Sequence, residues 1–412
     1  MNNKRRQLLA CGAALAATAA APVWAHGAGS HGEDGAPVAR PLPRPQLGTS
    51  AALDSQGRLW MAHAEPVAQA EAGPALSNIV LAWSADGGQI WTRVGPVLAI
   101  PEPVEANGEG RPKLAFGPRG QLYLTFTRPL DKPHTGHIRF ARSLDGGLTF
   151  SEPVTVQRDL AVTGHRFDSI VVDPRGRIFI AWIDKRDLDA ARAIKKPYRG
   201  AAVYYAVSTD EGASFGPDLR IADHCCECCR IALSVTPDGQ VLAMWRHIFE
   251  PNIRDHAMAV LGPLRAGPPS RVSFDDWRID ACPHHGPSLA VDSRGSRHQV
   301  WFSGGDDGGL FYAVAGAGGR PGRAVRLGGA RAEHGEVAVS GERIALAWKE
   351  FDGEATRVVV RVARKTGASF QERVLATSRG ASDHPHLVSR GGAIWLLWRT
   401  EDEGVIVRKL KA

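Results

Sequence analysis

Of the six cysteines in this 412-residue chain, four crowd into the run Cys225-Cys226-Glu227-Cys228-Cys229, flanked by His224 and Arg230. A fifth, Cys282, opens the stretch Cys282-Pro283-His284-His285, and the sixth, Cys11, lies near the start. Cysteines this close pair with one another only in strained geometry, whereas a bond from one of them to Cys282 is easy once the two segments meet. That bond leaves three thiols to account for. Thiolates beside imidazoles suit soft and borderline metal ions, because sulfur is polarizable and several such ligands close a low-coordinate site. The Cys-x2-Cys spacing of Cys225/Cys228 and of Cys226/Cys229 is a usual metal chelate. These residue types predict a metal site built from Cys225, Cys226, Cys228, Cys229 and Cys282 with His224, His284 and His285. Copper is the expected ion and zinc the alternative. The competing expectation is a disulfide clasp without metal.

The compartment bears on that choice. Residues 1–25 combine a basic start, an alanine-rich apolar run and a small-x-small end at Val23-Trp24-Ala25, the pattern of an export signal and not of a membrane span. Arg5-Arg6 followed by Gln7-Leu8-Leu9 resembles the twin-arginine export pattern, a route for proteins that fold or load a cofactor before crossing, and ordinary secretion fits nearly as well. A periplasmic or secreted protein results. Removing residues 1–25 leaves five cysteines, an odd number that cannot all pair within one chain in an oxidising compartment. Residues 26–45, rich in Gly, Pro and His, read as a flexible lead-in, and its first residues, His26-Gly27-Ala28-Gly29-Ser30-His31, offer a weak copper-binding arm.

Composition narrows the class further. A charged fraction of 23% with 43% hydrophobic residues describes a soluble globular chain with a substantial core. The net charge of +7 belongs in part to the leader and comes without a basic run interleaved with aromatics, so no nucleic-acid partner is expected. The partners that remain are a metal ion or a small-molecule ligand, with no stable membrane insertion.

Residues 46–412 must position these groups, and they repeat. An apolar strand, a tight turn with Gly and a second apolar strand ending in an aromatic or His recur seven times, ending at His63, Phe126, Trp182, Trp245, Trp301, Trp348 and Trp398. Each copy reads as a β-hairpin, and hairpins at this spacing without helical periodicity between them predict an all-β fold, a β-propeller. Seven blades of four strands, A to D, are expected, with six as the alternative. The last blade is short of a strand, which the segment around Val38 to Gln46 could supply.

A second motif, Ser-x-Asp-x-Gly-x-x-aromatic, recurs at 84–91, 143–150 and 208–215, with a worn copy at 364–370. It resembles the Asp-box, or BNR, repeat of sialidase-like propellers, in which Asp86, Asp145 and Asp210 would cap their own C-to-D turns. The stretches around CCECC and CPHHGP are similar to those of an exported bacterial branch labelled sialidase-like. Box turns lie on one face, so the segments before each A strand converge at the channel mouth on the other. Those segments add His165, His334, His384 and His386 to the cysteine cluster, and His247 follows a B strand.

The sialidase resemblance implies three arginines that clamp a substrate carboxylate, a tyrosine nucleophile and an acidic proton donor. Arg111, Arg166 and Arg230 precede successive A strands and are the candidate anion-binding residues. The family's Phe/Tyr-Arg-Ile-Pro motif is absent, and the nearest stretch, Arg40-Pro41-Leu42-Pro43-Arg44-Pro45, lacks both the aromatic and the isoleucine. No catalytic residue transfers from the resemblance. A glycoside hydrolase or carbohydrate-binding propeller stands as the alternative to metal handling or redox chemistry.

Overall fold

The computed structural model describes residues 46–68, 75–305, 307–364 and 369–411. The leader and lead-in therefore lie outside the described residues, as do most of the strand expected from Val38 to Gln46 and the middle of the worn fourth box. Seven antiparallel sheets succeed one another along the chain, each a simple meander. Six carry strands A to D and the last, blade 7, carries three; a short extra strand, Glu102–Pro103, joins the first.

The A strands are Thr49–Leu53, Lys113–Phe116, His165–Val172, Ala232–Val235, Ser288–Val291, Ala332–Ser340 and His386–Arg390. Each contacts the next and the seventh contacts the first, which closes a ring of seven blades. The chain is a seven-bladed β-propeller.

Local chemistry explains the hairpins. In the A-to-B turns of blades 1, 3 and 5, Asp54, Asp173 and Asp292 each accept main-chain N–H bonds from the residues two and four positions on. Gly57, Gly176 and Gly295 take the left-handed conformation that closes these turns, with φ of 78°, 80° and 80°. The B strands then bury Trp60, Trp182, Trp245, Trp348 and Trp398 almost completely. At roughly 25 cal/mol per Å2, such aromatics dominate the adhesion of one blade to the next.

The C-to-D turns share one hydrogen-bond pattern. Ser84, Ser143 and Ser208 each donate to the aspartate two residues on, Asp86, Asp145 or Asp210, at 2.7 Å. Each serine oxygen accepts the N–H of Gly88, Gly147 or Gly212, and each aspartate accepts the N–H four residues on. Burial raises the Asp210 carboxyl slightly, but these bonds overcome it and hold it at about 2.

One element departs from the all-β expectation. Between strands B and C of blade 3, residues Arg186–Ala193 form helix α1. Its alanines, Leu188 and arginines are strong helix formers, and Asp187 and Asp189 in its first turn complement the helix dipole. Eight residues are too few for a visible helical period beside seven strand repeats. Among the described residues, no helix is long and apolar enough to cross a membrane.

Candidate metal centre

The register of each hairpin fixes what faces the channel. The residue paired with the position just before the B-strand aromatic (His63 in blade 1) is Ser50, Lys113, Ser169, Ala232, Ser288, Glu336 or His386, one from each blade. All seven line a central cavity of about 460 Å3. Two positions earlier in each blade stand Gly48, Arg111, Phe167, Arg230, Gly286, His334 and His384, which form the rim of the mouth.

The cysteine run occupies the crossover from blade 3 to blade 4, where the Cys226 N–H donates to the Arg246 carbonyl (2.9 Å). The Sγ atoms of Cys226, Cys228 and Cys229 form a triangle with sides of 3.4, 3.6 and 4.0 Å. These separations are far too long for a disulfide, and all five described cysteines are free thiols. Three sulfurs held at 2.3 Å from one ion in tetrahedral directions would stand about 3.8 Å apart. Cys282, exposed on the next crossover, approaches Cys226 and Cys228 without joining the triangle, and their thiols bring its own pKa down to about 4. Bonds from Cys228 and Cys229 lower Cys226 as well. Neighbouring thiols raise Cys228, and burial pushes Cys229 up to about 12.

Beside the sulfurs lies Arg246, a guanidinium that is 1% exposed. It donates to three main-chain carbonyls, those of Arg254, His285 and Phe302. Its charge helps to lower Cys226 and partly opposes the rise that burial imposes on Cys229. A buried cation that spends its donors on carbonyls stabilises negative charge on the nearest sulfur.

The remaining predicted ligands fall elsewhere. Cys225 ends the D strand of blade 3; its sulfur accepts from the Ala201 N–H, and burial pushes its thiol well up. His224 has φ of 54°, places its ring 4.8 Å from Tyr198 and bonds the Arg199 carbonyl. His284, also at φ 54°, is exposed. His247 accepts from the Trp245 indole (3.4 Å) and packs on Phe249, and burial lowers it to about 4. His165 bonds the Gly136 carbonyl through Nδ1 and faces Asp159 and Asp184 through Nε2. That acidic pair already holds a cation, Arg186, at 2.7 Å from Asp184 and 3.4 Å from Asp159.

A second group gathers on the rim, and sequence reasoning missed its centre, Glu109. Its Oε2 accepts the N–H of Arg230 (2.8 Å) and of Gly286 (3.1 Å), and its Oε1 accepts from Arg230 Nη1 (2.7 Å). His334 Nδ1 and His384 Nδ1 lie 3.7 and 3.5 Å from the same Oε1. The two imidazoles stack with centroids 3.4 Å apart, and His285 packs tilted against His334 at 4.5 Å. Burial lowers His285 and His334 to about 3, and His384 further, which leaves all three as neutral imidazoles. Burial raises the Glu109 carboxyl, yet the Arg230 charge and the nearby His334 imidazole outweigh it and hold it well below the usual range. A bulge in the A strand of blade 6, between Glu333 and Glu336, gives His334 its φ of 52° and re-aims its side chain. The only sequence signal for Glu109 was its place two residues before Arg111, in a mouth segment without His or Cys.

The three candidate anion-binding arginines are each engaged by a carboxylate. Arg111 faces Asp383 (3.5 Å), Arg166 clamps Glu105 and Arg230 clamps Glu109. In the channel below, His386 faces Glu336 through Nδ1 (3.2 Å) and the Ala51 carbonyl through Nε2 (3.3 Å).

No protein-family model matches the chain, and no curated protein matches it. Solved structures do resemble it in fold. The α-L-arabinofuranosidase Arb93A of Fusarium graminearum, in complex with an iminosugar inhibitor, superposes with a TM-score of 0.53 at 12% identity, covering 81% of this chain and 95% of that one. A polysaccharide lyase of family PL25, an ulvan lyase bound to its saccharide, gives a TM-score of 0.51 at 11% identity over 84% and 93% of the two chains. At these identities the likeness is one of β-propeller architecture alone.

Proposed function

We propose that this propeller binds a soft metal ion, copper(I) ahead of zinc(II), at the crossover thiols Cys226, Cys228, Cys229 and Cys282, and that it serves in metal handling outside the cytoplasm. The observation that carries the reading is the triangle of three unbridged sulfurs at 3.4 to 4.0 Å, the spacing of thiolates around one ion. Arg246 supports a metal thiolate site, because its buried guanidinium offsets part of the negative charge that the deprotonated sulfurs carry. The ligands must lose their protons, so affinity rises with pH.

The deciding measurement is elemental analysis of the mature protein, purified without chelator or histidine tag from cells grown with and without copper, beside a Cys228→Ser/Cys282→Ser variant. Near-stoichiometric copper that the variant loses is the expected result. Metal-free protein with oxidised cysteines from both cultures would refute the reading and make the cluster a disulfide clasp.

A second reading, a channel that binds or cleaves a glycan, draws on the polar cavity of about 460 Å3 with Glu336, Lys113 and His386 in its wall. The carbohydrate-active relatives in fold add to it. Against it stands the pairing of Arg111, Arg166 and Arg230 with buried or half-buried carboxylates, which leaves no free clamp for a substrate carboxylate. Release of sugar from arabinan or ulvan, lost in Glu336→Gln, would favour this reading over the first.

A further inference from the structure

The rim group resembles the thiol cluster in one respect: three potential ligand atoms converge, here one each from Glu109, His334 and His384. His285 Nδ1, His334 Nδ1 and His384 Nδ1 are all buried and without a hydrogen-bond partner among the described residues. A buried polar nitrogen left unsatisfied costs about 1–3 kcal/mol, so three side by side need an explanation. Two of them, His334 and His384, aim at one carboxylate oxygen from 3.7 and 3.5 Å, too far for good hydrogen bonds. Ligand atoms held at about 2.1 Å from a common ion in tetrahedral directions stand roughly 3.4 Å apart, close to what is seen.

The surroundings are shaped for this approach. Gly108 lets the Glu109 loop lie against His384, since a Cβ there would stand 2.4 Å from the imidazole. Gly286 lies equally close to Glu109 Oε2 and Arg230. The main-chain N–H groups of Arg230 and Gly286 hold Glu109 through Oε2, which leaves Oε1 toward the imidazoles, where Arg230 Nη1 also reaches it.

We infer that Glu109, His334 and His384 form a second cation site on the rim of the channel, built for a borderline divalent ion such as Zn(II) or Cu(II) and separate from the thiol cluster. Two imidazoles and one carboxylate exclude the preference for copper(I) that sulfur gives, and three protein ligands leave a coordination position for water or a ligand entering the channel. The site goes beyond the proposed function and does not depend on it.

Cobalt(II) separates the two sites by colour, because sulfur ligands give strong ultraviolet charge-transfer bands and nitrogen and oxygen ligands give only weak visible bands. Reduced, chelator-stripped full-length mature protein titrated anaerobically should bind one Co(II) with sulfur bands and another without. His384→Asn and His334→Asn should each weaken the second ion at least about tenfold, the loss that even an outer partner can cause, and leave the sulfur bands unchanged. Asn tolerates the left-handed backbone at His334, and circular dichroism melting confirms folding. Cys228→Ser/Cys282→Ser should do the reverse. A wild-type titration that ends with the sulfur-bound ion, or a second ion indifferent to both histidine variants, would overturn the rim site whatever the fate of the thiol site.

Discussion

The two faces of this propeller follow different rules. On the turn face, the carboxylates of the box aspartates Asp86, Asp145 and Asp210 bond within their own turns, to groups two to four residues away. On the mouth face, Glu109 takes its bonds from Arg230 and Gly286, which are 121 and 177 positions distant, and its neighbours His334 and His384 keep buried nitrogens unpartnered. Local satisfaction makes a turn that any propeller can use; distant, incomplete satisfaction makes a place where something else can bind.

The contrast predicts unequal responses to mutation. Arg230→Met should be the most costly change, because it leaves the Glu109 carboxylate buried without its counter-charge. A loss of about 3–5 kcal/mol is expected in denaturant unfolding, and a loss below about 1 kcal/mol would mean that the rim is wetter than its burial implies. Next comes a dependence on pH. Burial raises the Glu336 carboxyl, but His386, with help from Arg230 and Arg111, brings it down to about 2 in the folded chain. A depressed carboxylate stabilises the fold above its ordinary value of 4.5 and loses that contribution as pH falls through 2. The melting temperature of wild type should therefore exceed that of Glu336→Gln at pH 6, and the gap should close as pH approaches 2; a constant gap contradicts the pairing.

Smaller effects belong to the turn face. Asp210→Ala removes a cap to main-chain N–H and should cost about 1 kcal/mol, as other caps do, with metal content unchanged. Arg119→Ala, which breaks an exposed pair with Glu211, should stay within about 0.5 kcal/mol. Combined with Arg230→Met, either change should be additive, since the faces share no partners. Coupling between them would erase the distinction drawn here.

The same distinction governs what could be read from the chain. The hairpins and box turns were legible because their determinants are neighbours in sequence: Asp173 with Gly176, Ser143 with Asp145. The thiols were legible as a cluster because four of them are adjacent. Their partners were not, for a physical reason. His224 and His284 sit beside cysteines in sequence, but left-handed backbone at both turns one ring toward Tyr198 and leaves the other in solvent. Arg246 lay hidden because an arginine at the end of a B strand looks like any exposed strand terminus, and only the crossover that folds over it makes it buried. Glu109 carried no motif at all, and it becomes a centre only when the rims of blades 4, 5, 6 and 7 close around it. Helix α1 escaped because a strand-dominated repeat masks one short insertion.

One feature of the crossovers bears on how the ring comes apart. Cys226, Cys228 and Cys229 stand before blade 4 and Cys282 stands after it, yet Cys282 lies close enough for the Cys226 and Cys228 thiols to act on its own. Any link between the two sets, through an ion or through oxidation, ties the chain into a closed loop that contains one entire blade. Closing a loop of this length restricts the unfolded chain by about 4 kcal/mol at 25 °C. Blade 4 then behaves as a keystone: the ring cannot open at either of its edges without first slipping the tie, so the thiols would set the lifetime of the folded protein as well as whatever they hold.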